Sequence, residues 1–413
     1  MNDKKIYPWI VVGLLWVVAL LNYMDRQMLS TMKDAMMVDI VELESAANFG
    51  RLMAVFLWIY GFMSPVAGMV ADRINRKWLI VGSLFVWSFV TLMMGYCTSF
   101  NQVYVLRALM GVSEALYIPA GLSLITDYHQ EKTRSLAVGI HMTGLYVGQA
   151  LGGFGATIAH TYSWETTFHW FGIVGIAYSV VLILFLRDKK DHAVKPIANK
   201  PTENPIAGAF KGLGMLFTNI AFWIILLYFA TPSLPGWATK NWLPTLFAEN
   251  LSIDMSQAGP MSTFTIAISS FIGVIVGGVL SDRWVQKNIR GRIYTGAIGL
   301  ALTIPSLVFL GFGHNLVTII GGGLCFGLGY GIFDANNMPI LCQFVSPRYR
   351  ATAYGIMNMT GVFAGAAVTR FLGSSTDAGN LGHDFAMLAG LVLVALVIQV
   401  LFLKPKTMNQ TDE

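Results

Sequence analysis

The chain has 413 residues, of which 55% are hydrophobic and 12% charged, with a formal net charge of +5. Its mean hydropathy of +0.60 excludes a water-soluble globular protein, because so few charges cannot cover a surface that faces water. The pI near 9.0 does not signal nucleic-acid binding, since the basic residues are confined to alternate loops, the pattern that membrane insertion imposes.

In chain order, apolar runs of about the 20 residues needed to cross a bilayer occur near residues 8–30, 51–71, 78–98, 102–126, 134–160 and 165–187. Six more follow near 214–246, 256–280, 292–312, 316–345, 351–374 and 384–403. The expected fold class is therefore an all-α polytopic membrane protein with twelve transmembrane helices. The first run is too long for a removable signal peptide and lacks a small-residue cleavage site. Pro232, Pro235, Pro244 and Pro339 predict kinks or broken helices within 214–246 and 316–345. Lys4/Lys5, Arg73/Arg76/Lys77, Lys132/Arg134, Arg187/Lys189/Lys190, Arg283/Lys287/Arg290/Arg292, Arg348/Arg350 and Lys404/Lys406 fall on alternate loops. Their placement assigns those loops and both termini to the cytoplasm. Cys97, Cys325 and Cys342 lie in apolar segments, where buried free thiols are expected.

A polar, proline-bearing stretch at 188–210 has the composition of a linker. It divides an N-terminal six-helix half (1–187) from a C-terminal one (211–413). The halves repeat. Arg107-Ala-Leu-Met-Gly-Val-Ser-Glu114 precedes Pro119, and Gly329-Tyr-Gly-Ile-Phe-Asp334 precedes Pro339, so each half carries an acid five residues before a proline. Gly68-x-x-x-Asp72-Arg73-x-x-Arg76-Lys77 is echoed by Gly278-x-x-x-Asp282-Arg283. Gly139-Ile-His141-Met-Thr-Gly144-x-x-x-Gly148 is echoed, with one insertion, by Gly355-Ile-Met-Asn358-Met-Thr-Gly361-x-x-x-Gly365. Parallel repeats of this kind place a substrate site between the halves, near the bilayer midplane.

Acids inside apolar spans cost several kcal/mol and are functional by default. Desolvation and a nearby guanidinium pull the proton affinity of a carboxyl in opposite directions, so an acid poised between them responds to conformation or to an arriving anion. Arg107 and Glu114, seven residues apart, share one helical face with Tyr117. Arg26, Arg107 and Lys240 are the candidate cations for a substrate anion, the arginines being suited to bidentate carboxylate recognition. Tyr23, Tyr117, Tyr146, Gln149, Tyr354, Asn358, Asn336 and Asn337 are candidates to line a polar cavity, and each competes with a plain interhelical bond. Arg107 is equally readable as a structural partner of Glu114, Lys240 as a snorkelling interfacial lysine, and His141 as a satisfied interior histidine. Asp72, Arg73, Arg76 and Lys77 read as an intracellular latch, with Asp282 and Arg283 their repeat, and the glycine strings read as close helix contacts.

The Gly68 to Lys77 string resembles the helix-two-to-three signature of the major facilitator superfamily, and Gly144-x-x-x-Gly148-x-x-x-Gly152-Gly153 resembles its helix-five motif. Within that superfamily, Asn22-Tyr23-Met-Asp25-Arg26, Arg107 with Glu114, Ser163-Trp164-Glu-Thr-Thr-Phe168 and Asn241-Trp242-Leu243-Pro244-Thr245 are similar to the anion:cation symporters. The resemblance implies proton-coupled symport of a small organic anion such as a sugar acid. It places the coupling carboxylates at Asp25 and Glu114 and the anion-binding cations at Arg26 and Arg107. Asp334-Ala-Asn336-Asn337 departs from the pattern.

There is no phosphate-cradling Gly-x-x-x-x-Gly-Lys-Ser/Thr loop and no Cys-x-x-Cys or His-x-x-x-His spacing. Neither an enzyme nor a cofactor is expected. The expected partners are the small organic anion, protons and the lipid bilayer, with no nucleic acid, and the working unit is a monomer in a bacterial inner membrane. Two other readings fit: a spinster-like lipid transporter, which needs a greasier and laterally open cavity, and a transporter-derived sensor that binds without translocating.

Overall fold

The computed structural model describes residues 3–129, 131–188, 218, 220–345 and 350–405. Most of the 188–210 linker lies outside the described residues.

Local sequence starts and stops the helices. Ser45, Asn75, Ser163 and Asn315 each accept a hydrogen bond from a backbone N–H three residues on, which satisfies a donor that the helix itself cannot. The N-terminal half runs α1 (Asp3–Leu29), a short α2 (Lys33–Met36), α3 (Ala46–Arg73), α4 (Arg76–Met94), α5 (Phe100–Ala115), α6 (Tyr117–Tyr128), α7 (Glu131–Gly152), α8 (Gly155–Thr161) and α9 (Trp164–Phe185). The C-terminal half runs α10 (Ile220–Leu251), α11 (Met255–Val285), α12 (Gly291–Phe312), α13 (Leu316–Asp334), α14 (Asn337–Leu341), α15 (Arg350–Asp377) and α16 (Leu381–Phe402). Among the described residues, nine helical segments are long and apolar enough to cross a membrane. The α5–α6 and α13–α14 pairs each count there as one span. α7, α10 and α15 are the other long helices and lie in the same bundle.

The segment of Pro339 is broken as expected, between α13 and α14, whereas the three prolines of α10 act differently. α10 stays helical through Pro232, Pro235 and Pro244, so no break occurs there. Thr231 and Ser233 donate their hydroxyls to the carbonyls of Leu227 and Phe229, four residues back, and so bind carbonyls within the proline-bearing stretch. The breaks fall instead just after the two intramembrane acids. α5 ends at Ala115 and α6 resumes at Tyr117, while α13 ends at Asp334 and α14 starts at Asn337. Pro119 and Pro339 clash with the carbonyl four residues earlier, at 115 and 335. The chain responds with a tightened turn at each site: Leu116 N–H donates to Ser113 and Asn336 N–H to Phe333. Ser83 secures the first break by donating to Ser113 O at 2.6 Å.

The glycine strings set helix spacing. A Cβ on Gly144 or Gly152 would lie 2.6 or 2.7 Å from the carbonyl oxygens of Trp16 and Met24, and one on Gly148 would collide with Leu20. α7 therefore lies against α1 with backbones nearly touching, the close approach that small residues allow in membranes.

With the Lys/Arg-rich loops placed inside, the hydrogen bonds between the halves gather at the outer ends. Thr157 donates to Ser256 O, Thr263 to Ala150 O, and Gln27 to Lys240 O. Asp377 at the end of α15 accepts from Ser45 Oγ at 2.8 Å and from the N–H groups of Ala46 and Ala47 at 2.6 and 2.9 Å. These bonds tie the two halves together at that end. Toward the inner side, Phe62 and Tyr354 are exposed.

Candidate functional site

Two groups of polar side chains lie between these helices, one within the N-terminal half and one at the seam of the halves. Glu114, at the end of α5, is fully buried and is met by α1. Arg26 Nε donates to its Oε2 at 2.5 Å, and Asn22 Nδ2 donates to the same oxygen at 3.0 Å. Asn22 and Arg26 are one turn apart, so one face of α1 presents both donors. Three aromatic rings enclose the guanidinium, their centroids at 5.1 Å (Tyr23), 4.8 Å (Phe56) and 4.6 Å (Tyr60), a cage that favours a cation over bare hydrocarbon.

Glu114 therefore pairs with Arg26, and the alternative reading of Arg107 as its structural partner is not what the contacts give. Residues seven apart share a face, but the break after Ala115 and the entry of α1 decide which cation arrives. Arg107 is itself buried, stacks over Phe56 at 4.4 Å and places Nη1 2.9 Å from Met110 Sδ. Asp25 is 5% exposed, and its nearest donor is Thr91 on α4, at 3.5 Å. Arg26 Nη2, Arg107 Nε and Glu114 Oε1 are buried without a hydrogen-bond partner among the described residues. Orphaned polar atoms of this kind are costly in one fixed state and suit a cluster that must rearrange.

The second group surrounds a cavity of about 100 Å³ between α1, α7, α10, α11 and α13. Tyr23, Tyr146, Gln149, Lys240, Tyr330 and Asp334 supply most of its polar wall. Of the three candidate cations only Lys240 lines it, its Nζ lying 4.7 Å from the Trp237 ring centroid and 5.8 Å from that of Tyr23. Tyr23 touches both groups, since its ring contacts Arg26 on one side and the cavity on the other.

Several expected cavity residues lie elsewhere. Tyr117 is fully buried, donates to Leu15 O at 2.8 Å and packs on Trp87 and His141. Asn336 is also fully buried and donates to Ile332 O, as the tight turn after α13 demands. Asn337 reaches the site through Asp334, to whose Oδ1 it donates at 3.0 Å. Tyr354 and Asn358 are accessible on α15 but do not line this cavity. His141 is buried, and neither ring nitrogen has a partner among the described residues.

The side chains of Gly68, Asp72 and Arg73 lie outside the described residues. Arg76 pairs with Asp127, and Lys77 donates to Ile183 O at 2.8 Å, so both tie helices within one half. Asp282 pairs with Arg292 at 3.8 Å, and Arg283 is exposed. Asn22, Phe56, Tyr60 and Tyr330 were not singled out from sequence. A helical register signalled two of them: Asn22 lies four residues before Arg26, and Tyr330 four before Asp334. Nothing in the sequence of α3 indicated which face would meet Arg26.

Comparison with known proteins bears on this arrangement. The family model "Major Facilitator Superfamily" matches residues 15–369. The chain belongs to that superfamily. A hexuronate transporter of Bacillus subtilis (strain 168) is 23% identical, the match covering 96% of this chain and 94% of the relative. A probable galactarate/D-glucarate transporter of the same organism is 25% identical, covering 92% of each. A sodium-dependent phosphate transport protein of Arabidopsis thaliana chloroplasts is 24% identical, covering 95% of this chain and 78% of the relative. Among solved structures, a bacterial homologue of the human lysosomal transporter spinster, inward-facing and occupied, superposes with a TM-score of 0.76 at 19% identity, covering 96% and 97% of the two chains. This superfamily member thus has the fold expected from its repeats, and it is a multi-pass membrane transporter by family.

Proposed function

We propose that this transporter moves a small monoanionic sugar acid into the cytoplasm together with protons, by alternating access between its halves. The observation that carries the proposal is the placement of the two charged groups on either side of Tyr23. On one side, Glu114 is buried against Arg26 and Asn22. On the other, Lys240 opens onto a cavity walled by tyrosines, an amide and a carboxylate. Arg26, Arg107 and Lys240 are matched by Asp25, Glu114 and Asp334. With all six ionised, the formal charge of the site cancels. An arriving anion leaves it one charge too negative, which protonation of Asp25 or Glu114 corrects. Protonated Glu114 holds Arg26 less strongly, so the guanidinium becomes available toward Tyr23 and the cavity. Relatives named for hexuronate and for galactarate/D-glucarate support an organic-anion cargo.

Proteoliposomes buffered inside at neutral pH and diluted into acidic medium should accumulate a labelled sugar acid, and a protonophore should abolish the accumulation. Because one relative is named as sodium-dependent, the decisive contrary result is accumulation that ignores the protonophore and disappears without sodium.

A spinster-like lipid cargo remains the second reading, favoured by the superposition with an inward-facing spinster homologue. The small polar wall around Lys240 and Asp334 weighs against it.

A further inference from the structure

Asp334 is not explained by anion binding. It stands in the wall of a cavity taken to receive a carboxylate, and a carboxylate there repels the substrate's own charge. Its side chain is exposed to the cavity, and the hydrogen bond from Asn337 occupies only Oδ1. Among the described residues no cation comes within 4.0 Å of it, and Lys240, in the same wall, likewise has no carboxylate within that distance. Lys240 and Asp334 thus present opposite charges to one small cavity without forming a contact ion pair. The same wall includes the rings of Tyr23, Tyr146 and Tyr330, low-dielectric surroundings in which two charges act on one another more strongly than in water.

We infer that Lys240 and Asp334 act as a two-ended gauge that admits monoanions and rejects dianions, with Asp334 as the specificity-determining residue. The inference rests on the proposed sugar-acid cargo and deepens it. A carboxylate end settles on Lys240, whose ammonium offers donors only. The far end of the substrate then meets Asp334, whose ionised oxygens only accept. A terminal hydroxyl donates to Asp334, and Asn337 holds that carboxylate in place. A second carboxylate has no proton to donate and places like charges together in a poorly screened site, the repulsive element by which binding sites exclude close analogues. One cavity thereby reads two ends of one molecule, and discrimination comes from Asp334 while affinity comes from Lys240.

Matched ligand pairs test the inference: D-gluconate with D-glucarate, and D-galactonate with D-galactarate. Within each pair the carbon skeleton is the same, and only one terminal group changes from hydroxymethyl to carboxylate. Affinity is measured on the purified full-length protein in detergent by calorimetry at neutral pH. The unsubstituted protein should bind at least one monoanion at least about tenfold more tightly than its dianionic partner, a difference of about 1.4 kcal/mol. Asp334→Asn, which keeps the shape and removes the charge, should bring that ratio to within about threefold, chiefly by improving dianion affinity. Lys240→Gln should weaken both members of the pair and leave their ratio unchanged. Equal affinity for both members in the unsubstituted protein overturns the gauge and leaves the sugar-acid cargo standing. A ratio unmoved by Asp334→Asn overturns the assignment to Asp334. Failure of all four ligands to bind overturns the cargo and the gauge with it.

Discussion

At the scale of single residues, the proposed coupling rests on Glu114 and its contact with Arg26. A buried ion pair is weakly stabilising as a pair, yet removing one partner strands the other, at a cost of about 3–5 kcal/mol. Arg26→Ala should therefore lower stability in detergent strongly, measured by thermal unfolding, while Arg26→Ala combined with Glu114→Gln should recover much of the loss. If the double variant is as unstable as the single one, the contribution of Arg26 lies in its aromatic cage and not in Glu114. Glu114→Gln alone should abolish accumulation driven by a pH gradient and preserve substrate counterflow, because the amide keeps the shape but exchanges no proton. Equal loss of the two activities would place Glu114 in binding. Sequence made these residues conspicuous, since acids and arginines are rare in apolar runs. It left their pairing open, because spacing along one helix is blind to the helix that packs across it. Tyr117 was misplaced for the same reason, since it bonds Leu15 O of α1, whereas Asn336 turns back onto Ile332 O of α13, a local partner that a count of polar residues does not reveal.

Among the helices, the ends decide how the halves meet. α3 begins with exposed N–H groups, and the Asp377 carboxylate of the opposite half closes onto them. Negative charge at a helix N-terminus is favourable for both partners. Partial burial works to raise the pKa of Asp377, but the N–H of Ala47, the hydroxyl of Ser45, the N–H of Ala46 and the field of Lys33 together hold it below the ordinary carboxylate value. A depressed pKa means that the contact is fully present above the usual carboxylate range and is lost only as pH falls through the lowered value. Outer closure should accordingly be insensitive to pH between about 5 and 8, well above that range. Asp377→Ala should weaken it by about 1 kcal/mol, the usual worth of a helix cap. Accessibility of a cysteine placed at Ala47 to a membrane-impermeant thiol reagent reports this: it should rise in Asp377→Ala and stay flat with pH in the parent. Unchanged labelling in the variant would remove the cap from the closure. The apolar runs and the glycine strings announced the helices and their tight contacts. The breaks after Glu114 and Asp334 were half legible, through Pro119 and Pro339. The continuity of α10 was not, because the side chains that bind its carbonyls act only once the helix is formed.

The described helices pack as two halves that are bonded to each other near one end and meet around Tyr23, Lys240 and Asp334. Composition, loop charge and repeat matching were enough to anticipate this architecture, since a bilayer leaves a chain so apolar few other folds. Tyr23, Tyr146, Gln149, Lys240 and Asp334, all candidates from the sequence, do line the cavity; which other polar residues would be left out was not legible, because the seam between halves depends on their relative orientation, and no periodicity within a half records it. That orientation is also what must change during transport. With the outer ends bonded across Thr157, Thr263 and Asp377, movement to an outward-open state has to break those bonds and let the buried acids reach the outer solution. In the proposed symport, proton uptake and substrate uptake belong to one cycle. The most direct measurement is the pH of a weakly buffered external medium around substrate-free proteoliposomes when a sugar acid is added. Coupled entry predicts prompt alkalinisation that saturates with substrate, requires Glu114 and vanishes in liposomes without protein. Substrate entry with no change in external pH would contradict proton coupling outright.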